Sequence, residues 1–150
     1  MTKKLKSDGS VSEIFSFENG SAIEIPLLGT KVSAGFPSPA QDYIEATLDL
    51  NQLLIKHPIA TYFIKVEGFS MVEAGINPGD LLIVDRALAA ENNKIVIAVL
   101  DGELTVKRLK ITEGMYWLFP ENKEYEPIPI LEENDFSVWG VVTYVIHKLY

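Results

Sequence analysis

From residue 61 onward, apolar and polar positions fall into short β-branched runs separated by turn residues. Tyr62 to Val66, Leu81 to Asp85, Ile95 to Leu100, Glu103 to Leu109, Tyr116 to Phe119 and Val138 to His147 each read as a strand. Asp101-Gly102 joins two of them as a two-residue hairpin turn, whose backbone twist matches that of the flanking strands. Asn77-Pro78-Gly79-Asp80 is a second turn. This spacing predicts a mostly β, mainly antiparallel architecture with a highly twisted or barrel-like sheet. Ahead of it, Leu50, Leu53 and Leu54 fall at i, i+3 and i+4, with Asp49 placed to cap and Pro58 to stop. That pattern predicts a short helix packed by its leucine face.

Residues 1–30 are more polar and are punctuated by Ser and Gly. They break into pieces such as Glu13-Ile14-Phe15-Ser16-Phe17 and Ala22-Ile23-Glu24-Ile25, which predict a flexible arm with one or two weak strands. Ala34-Gly35-Phe36-Pro37-Ser38-Pro39 follows, and its two prolines bias the backbone toward extended conformations. On composition alone this stretch is either a plain linker or a loop open to a protease.

At 150 residues the chain is long enough for one well-filled core. The net charge of −8 argues against unspecific binding to duplex DNA, which needs clustered cations at phosphates. In residues 1–34, Lys3, Lys4, Lys6 and Lys31 cancel Asp8, Glu13, Glu18 and Glu24, so all net negative charge lies after residue 34. Lys107-Arg108-Leu109-Lys110 is the one basic cluster to weigh. With no cysteines, and with His57 and His147 far apart, no structural metal site is expected. No apolar run approaches the ~18 residues of a membrane span. Ser and Glu follow the first lysines where a signal peptide needs apolar residues, so the cytoplasm is the expected compartment.

The sequence has no glycine-rich phosphate loop, and the nearest approach to a Gly-x-Ser-x-Gly elbow is Gly68-Phe69-Ser70-Met71-Val72, which departs at its last position. Nothing orients His57 or His147 toward Ser70. Ser70 and Glu73 form Ser-x-x-Glu, the signature of a capping box, which would make Ser70 a helix cap without chemistry. The same position at a helix start would also place a serine oxygen where outward-pointing backbone N–H groups can hold an oxyanion. Lys107 stands in the strand after the hairpin, either as a solvent-facing charge or as a base. A free lysine of pKa about 10.4 is neutral roughly once in a thousand molecules near pH 7.4. Desolvation among Leu104, Val106 and Leu109 would lower that pKa.

These residues also carry a resemblance. Gly68-x-Ser70-Met71 followed by Gly75-Ile76-x-x-Gly79-Asp80-Leu81-Leu82 resembles the nucleophile segment of the LexA/UmuD self-cleaving proteins. Glu103-x-Thr105-Val106-Lys107-Arg108-Leu109 is similar to their lysine segment, and Leu118-x-Pro120-Glu121-Asn122 with Tyr125-x-Pro127-Ile128 to a stretch further along. Val32-Ser33-Ala34-Gly35 resembles their scissile site. The order of cleavage site, serine and lysine matches too, and the resemblance covers about residues 28 to 150. Within the family, Phe36-Pro37-Ser38-Pro39-Ala40-x-Asp42-Tyr43-Ile44-Glu45 and Leu48 to Leu54 look like UmuD. So does the short arm, which lacks the length and amphipathic helices of a helix-turn-helix domain. Ala34 is the LexA-like choice at its position, and Phe69 replaces a commonly acidic or polar neighbour of the serine.

The resemblance implies a LexA/UmuD peptidase fold with a short helix. Residues 1–34 would be the arm removed by self-cleavage, and residues 35–150 the peptidase-fold and dimerisation domain. It implies Ser70 as nucleophile, Lys107 as base, the backbone N–H groups of Ser70 and Met71 as oxyanion donors, and Ala34-Gly35 as the cleaved bond. No metal or organic cofactor is implied. The implied partners are a second copy in a homodimer, the RecA–single-stranded-DNA filament as stimulus, and a UmuC-type DNA polymerase in translesion synthesis. Neither a membrane nor sequence-specific DNA contact is expected. Two other readings stand beside this one: a LexA-like or phage-type regulator, and a dimeric binding module that kept the fold and lost cleavage.

Overall fold

The computed structural model describes residues 6–18, 20, 25–28 and 44–150. Its elements are β1 (Lys6–Ser7), β2 (Val11–Ser16), β3 (Ile25–Leu28), β4 (Ile44–Leu48), α1 (Leu50–Leu54) and β5 (Thr61–Val66). There follow β6 (Leu81–Asp85), β7 (Ile95–Leu100), β8 (Glu103–Thr112), β9 (Met115–Phe119), β10 (Ile128–Pro129) and β11 (Phe136–Ile146). These residues form two compact units. Glu18–Lys56 holds β3, β4 and α1, and the other unit joins β1 and β2 to everything from His57 onward.

In the smaller unit, β3 and β4 pair antiparallel from Ile25↔Leu48 to Leu28↔Ile44. Helix α1 starts as expected, with the Asp49 carboxylate accepting the Asn51 N–H at 3.0 Å. Its leucine face is not packed away as the pattern predicted: Leu50 is 51% and Leu53 43% exposed. A single turn and a half carries too few side chains to build a buried stripe of its own.

The larger unit is one sheet in the order β10-β9-β8-β7-β11-β6-β5-β2, with β1 added parallel to β8. The predicted strands are all present, and several extend by a residue or more. The two hairpins β7–β8 and β8–β9 close on Asp101-Gly102 and Glu113-Gly114, all four residues at positive φ. That is the geometry of a twist-matched two-residue turn. Asn77 to Asp80 also turns as expected, the Asp80 N–H donating to the Asn77 carbonyl at 3.1 Å.

Both faces of the sheet centre are covered. Along β7, Ile97 belongs to a core with Ile64, Met71, Leu82, Val84 and Val106. Its neighbours Val96 and Ala98 point the other way, to Leu109, Leu118 and Val141. Each large side chain buried in this way contributes about 1.5–3 kcal/mol. The sheet curls so far that the segment leaving β5 meets β8, although β6, β11 and β7 lie between the two strands in the sheet. The chain from β1 to β2 spans that meeting, because β1 lies on β8 and β2 lies on β5.

Candidate active site

The curl brings together the two side chains that the sequence singled out. Gly68, at φ 78°, turns the chain out of β5 into the segment carrying Ser70. Lys107 sits midway along β8, two residues from Thr105 and on the same face. The Lys107 Nζ lies 3.3 Å from Ser70 Oγ, and the two residues are only 4% and 8% exposed. Lys107 also donates to Thr105 Oγ1 at 2.8 Å and to the Val106 carbonyl at 3.1 Å. Asp8 Oδ2 stands at 3.5 Å. Burial pushes the Lys107 ammonium below the ordinary lysine range, against the opposing charge and hydrogen bond of Asp8.

The capping box does not form. The short 3-10 turn Val72–Ala74 starts from Met71, without a side-chain cap. Ser70 Oγ is left to the Lys107 contact, and the Glu73 N–H donates to the Glu121 carbonyl at 2.8 Å. The serine segment is braced from β9's far end instead. The Glu121 N–H donates to the Ser70 carbonyl at 2.8 Å and the Asn122 side-chain amide to the Phe69 carbonyl at 2.8 Å. Among the described residues, neither the Ser70 nor the Met71 N–H has a protein acceptor.

Both histidines are engaged elsewhere, His57 with Asp85 at 2.6 Å and His147 with Asp80 at 2.5 Å. The basic cluster disperses as well. Lys107 is buried, Arg108 pairs with Glu121, and Lys110 lies over the Phe119 ring. Alternation on β8 sends Lys107 to the face opposite Arg108 and Lys110, and those two are each engaged by a neighbour, so the four-residue run does not act as one basic patch. Among the described residues no cluster of His, Asp and Glu has the arrangement to hold a metal ion.

Ser70 and Lys107 open into a cavity of ≈ 290 Å³, lined also by Asp8, Ser10, Gly68 and Ile128. Chemically, a buried amine beside a serine hydroxyl can take its proton and make it a nucleophile. The sequence reading missed the parts that Asp8 and Thr105 play here. Thr105 carried a signal, two residues before the lysine in an alternating strand. Asp8 carried none, being 99 residues away in sequence. Ala34 and Gly35 lie outside the described residues.

Comparison with known proteins gives an independent result. Residues 26–143 match the family model described as Peptidase S24-like. Protein MucA of Salmonella typhimurium is 42% identical over 134 residues, which cover 88% of this chain and 91% of that protein. Protein ImpA of Shigella flexneri is 47% identical over 123 residues, covering 82% and 83%. LexA repressor of Ectopseudomonas mendocina is 41% identical over 136 residues, 88% of this chain and 66% of the repressor.

Proposed function

The chain belongs to the S24-like peptidase family, with UmuD-like and LexA relatives, and on that premise we propose that it cuts itself with a Ser70–Lys107 dyad. The supporting observation is the 3.3 Å contact between two buried side chains, one on β8 and one just after β5, that three intervening strands separate in the sheet order. Neutral Lys107 takes the Ser70 proton, and the oxygen attacks the Ala34 carbonyl. The Ser70 and Met71 N–H groups hold the resulting oxyanion. The carbon–nitrogen bond breaks, the proton passes to the Gly35 amine, and water then hydrolyses the ester on Ser70. The stimulus is the RecA–single-stranded-DNA filament, and the shortened homodimer acts with a UmuC-type polymerase at DNA lesions.

Incubation with activated RecA tests trigger, site and activity together. Intact-mass analysis should show a product beginning at Gly35, 116 residues long by 150 − 34. A new N-terminus anywhere else overturns the site. Replacing Gly35 with Glu should block the cut while leaving Ser70 and Lys107 untouched.

The rate of cleavage without RecA should rise with pH, because only the deprotonated lysine is a base. Since burial lowers the Lys107 pKa, the rise should begin below the range of an exposed lysine. A flat rate from about pH 7 to about pH 10, in protein that circular dichroism shows to be folded, removes the lysine-base mechanism.

A further inference from the structure

The turn Asp8-Gly9-Ser10 crosses the mouth of the dyad's cavity and is gripped from both sides. On the β8 side the Asp8 N–H donates to the Leu104 carbonyl at 3.0 Å, and the Val106 N–H to Ser10 Oγ at 3.0 Å. Toward β5 the Glu67 N–H donates to the Ser10 carbonyl at 3.0 Å. The Asp8 carboxylate has little freedom left. Its Oδ1 accepts the Ser10 N–H at 3.0 Å and the Ser10 hydroxyl at 2.5 Å. Its Oδ2 accepts the Thr105 hydroxyl at 2.6 Å and faces the Lys107 Nζ at 3.5 Å.

The geometry points to Asp8 as a positioning residue that keeps Lys107 charged, and so sets the pH at which the dyad becomes competent. This inference rests on the self-cleavage reading and refines its control. Burial drives Lys107 toward neutrality, whereas a fixed carboxylate at 3.5 Å favours the ammonium. For Asp8 itself, burial pushes the carboxyl up, but the bonds from Ser10 and Thr105 and the Lys107 charge outweigh it and hold it below the usual range. Asp8 is therefore ionised wherever Lys107 titrates.

The other ionisable groups around the cavity are Glu67 beside the serine segment and Tyr125 and Glu126 before β10. Neighbouring β7 carries none. On β8, Arg108 is committed to Glu121. Among the described residues, Asp8 is the one carboxylate within 4.0 Å of Lys107. It also lies within residues 1–34, so the proposed cut ends its covalent link to the base and leaves only the sheet contacts of β1 and β2 to hold it there.

The test titrates Lys107 by NMR, using isotope-labelled lysine in full-length chain carrying Ser70→Ala, which blocks self-cleavage. Adding Asp8→Asn should lower the Lys107 midpoint by about one pH unit, while Asp8→Glu leaves it near the parent value. With Ser70 restored, Asp8→Asn should move the pH–rate curve for self-cleavage down by the same amount, raising the rate near neutrality about tenfold. If Asp8→Asn fails to fold, Asp8→Ser takes its place in the same titration. An unmoved Lys107 midpoint, or equal shifts in the Asn and Glu variants, overturns the role of Asp8. A chain that never cuts itself, yet shows the Lys107 shift, overturns the self-cleavage reading and leaves the Asp8 coupling standing.

Discussion

Lys107→Met leaves the chain whole under conditions in which the parent cuts itself, and it melts no lower than the parent. The first half follows from the lone amine beside Ser70 Oγ, for which methionine offers no proton acceptor. A positioned base is worth roughly 100- to 10,000-fold in rate, so cleavage should fall below detection. Ser70→Ala should do the same by removing the nucleophile. Lys107→Arg should fail as well, because a guanidinium does not become neutral in a protein.

The second half follows from burial. Because Lys107 has a lowered pKa in the fold, the unfolded chain binds more protons between the folded value and the ordinary one. Stability therefore rises with pH across that window and is reduced below it. Methionine fills a similar volume, carries no charge and removes that dependence. The Asp8 carboxylate left behind is not stranded, because it keeps its bonds from Ser10 and Thr105 and is partly open to water. Intact mass over time and melts at two pH values check both halves. A Lys107→Met chain that still yields the short form at a comparable rate sinks the dyad. One that melts well below the parent sinks the view that the buried charge weakens the fold.

Gly140→Ala should destabilise the protein by about 1–3 kcal/mol, as overpacking does in a filled core. Gly140 lies where β11 shifts register against β7, and at the next residue β11 pairs with both Val96 and Asp85. A Cβ there would stand 2.5 Å from Val84 Cγ1 and 3.3 Å from Arg86 Cγ. Val84 is fully buried and β-branched, so its side chain has little freedom to move aside. Arg86 is held by stacking on Trp139 at 4.5 Å and by donating to the Trp139 carbonyl at 2.8 Å. At about 2–4 °C per kcal/mol, the melting midpoint should drop by several degrees. An unchanged midpoint would mean that the strand crossing is looser than these distances imply.

The strands and hairpin turns were legible because their causes are local. β-branched runs such as Ile95 to Leu100 and the Asp101-Gly102 turn carry their conformation in adjacent residues. The Ser-x-x-Glu pattern misled for the opposite reason: Ser70 and Glu73 both found partners far along the chain, in Lys107 and Glu121. The serine and lysine themselves were found through segment resemblance, since neither residue type announces a base or nucleophile. Asp8 was invisible because composition counts its charge as cancelled by nearby lysines. In space its neighbour is Lys107, a lysine whose pKa burial lowers.

The place of β11 in the sheet also fixes when the dyad can first exist. Ser70 follows β5 and Lys107 lies on β8, and β11 is the strand that joins the β5–β6 pair to the β7–β8–β9 meander. A ribosome delivers both of those pieces before it delivers residues 136–146. Each can pair within itself, but the sheet is not continuous between them until β11 slides in. A nascent chain still short of β11 therefore carries the serine and the lysine but not the completed sheet that sets them 3.3 Å apart. Under the proposed self-cleavage, translation completes the substrate segment well before the site that would cut it.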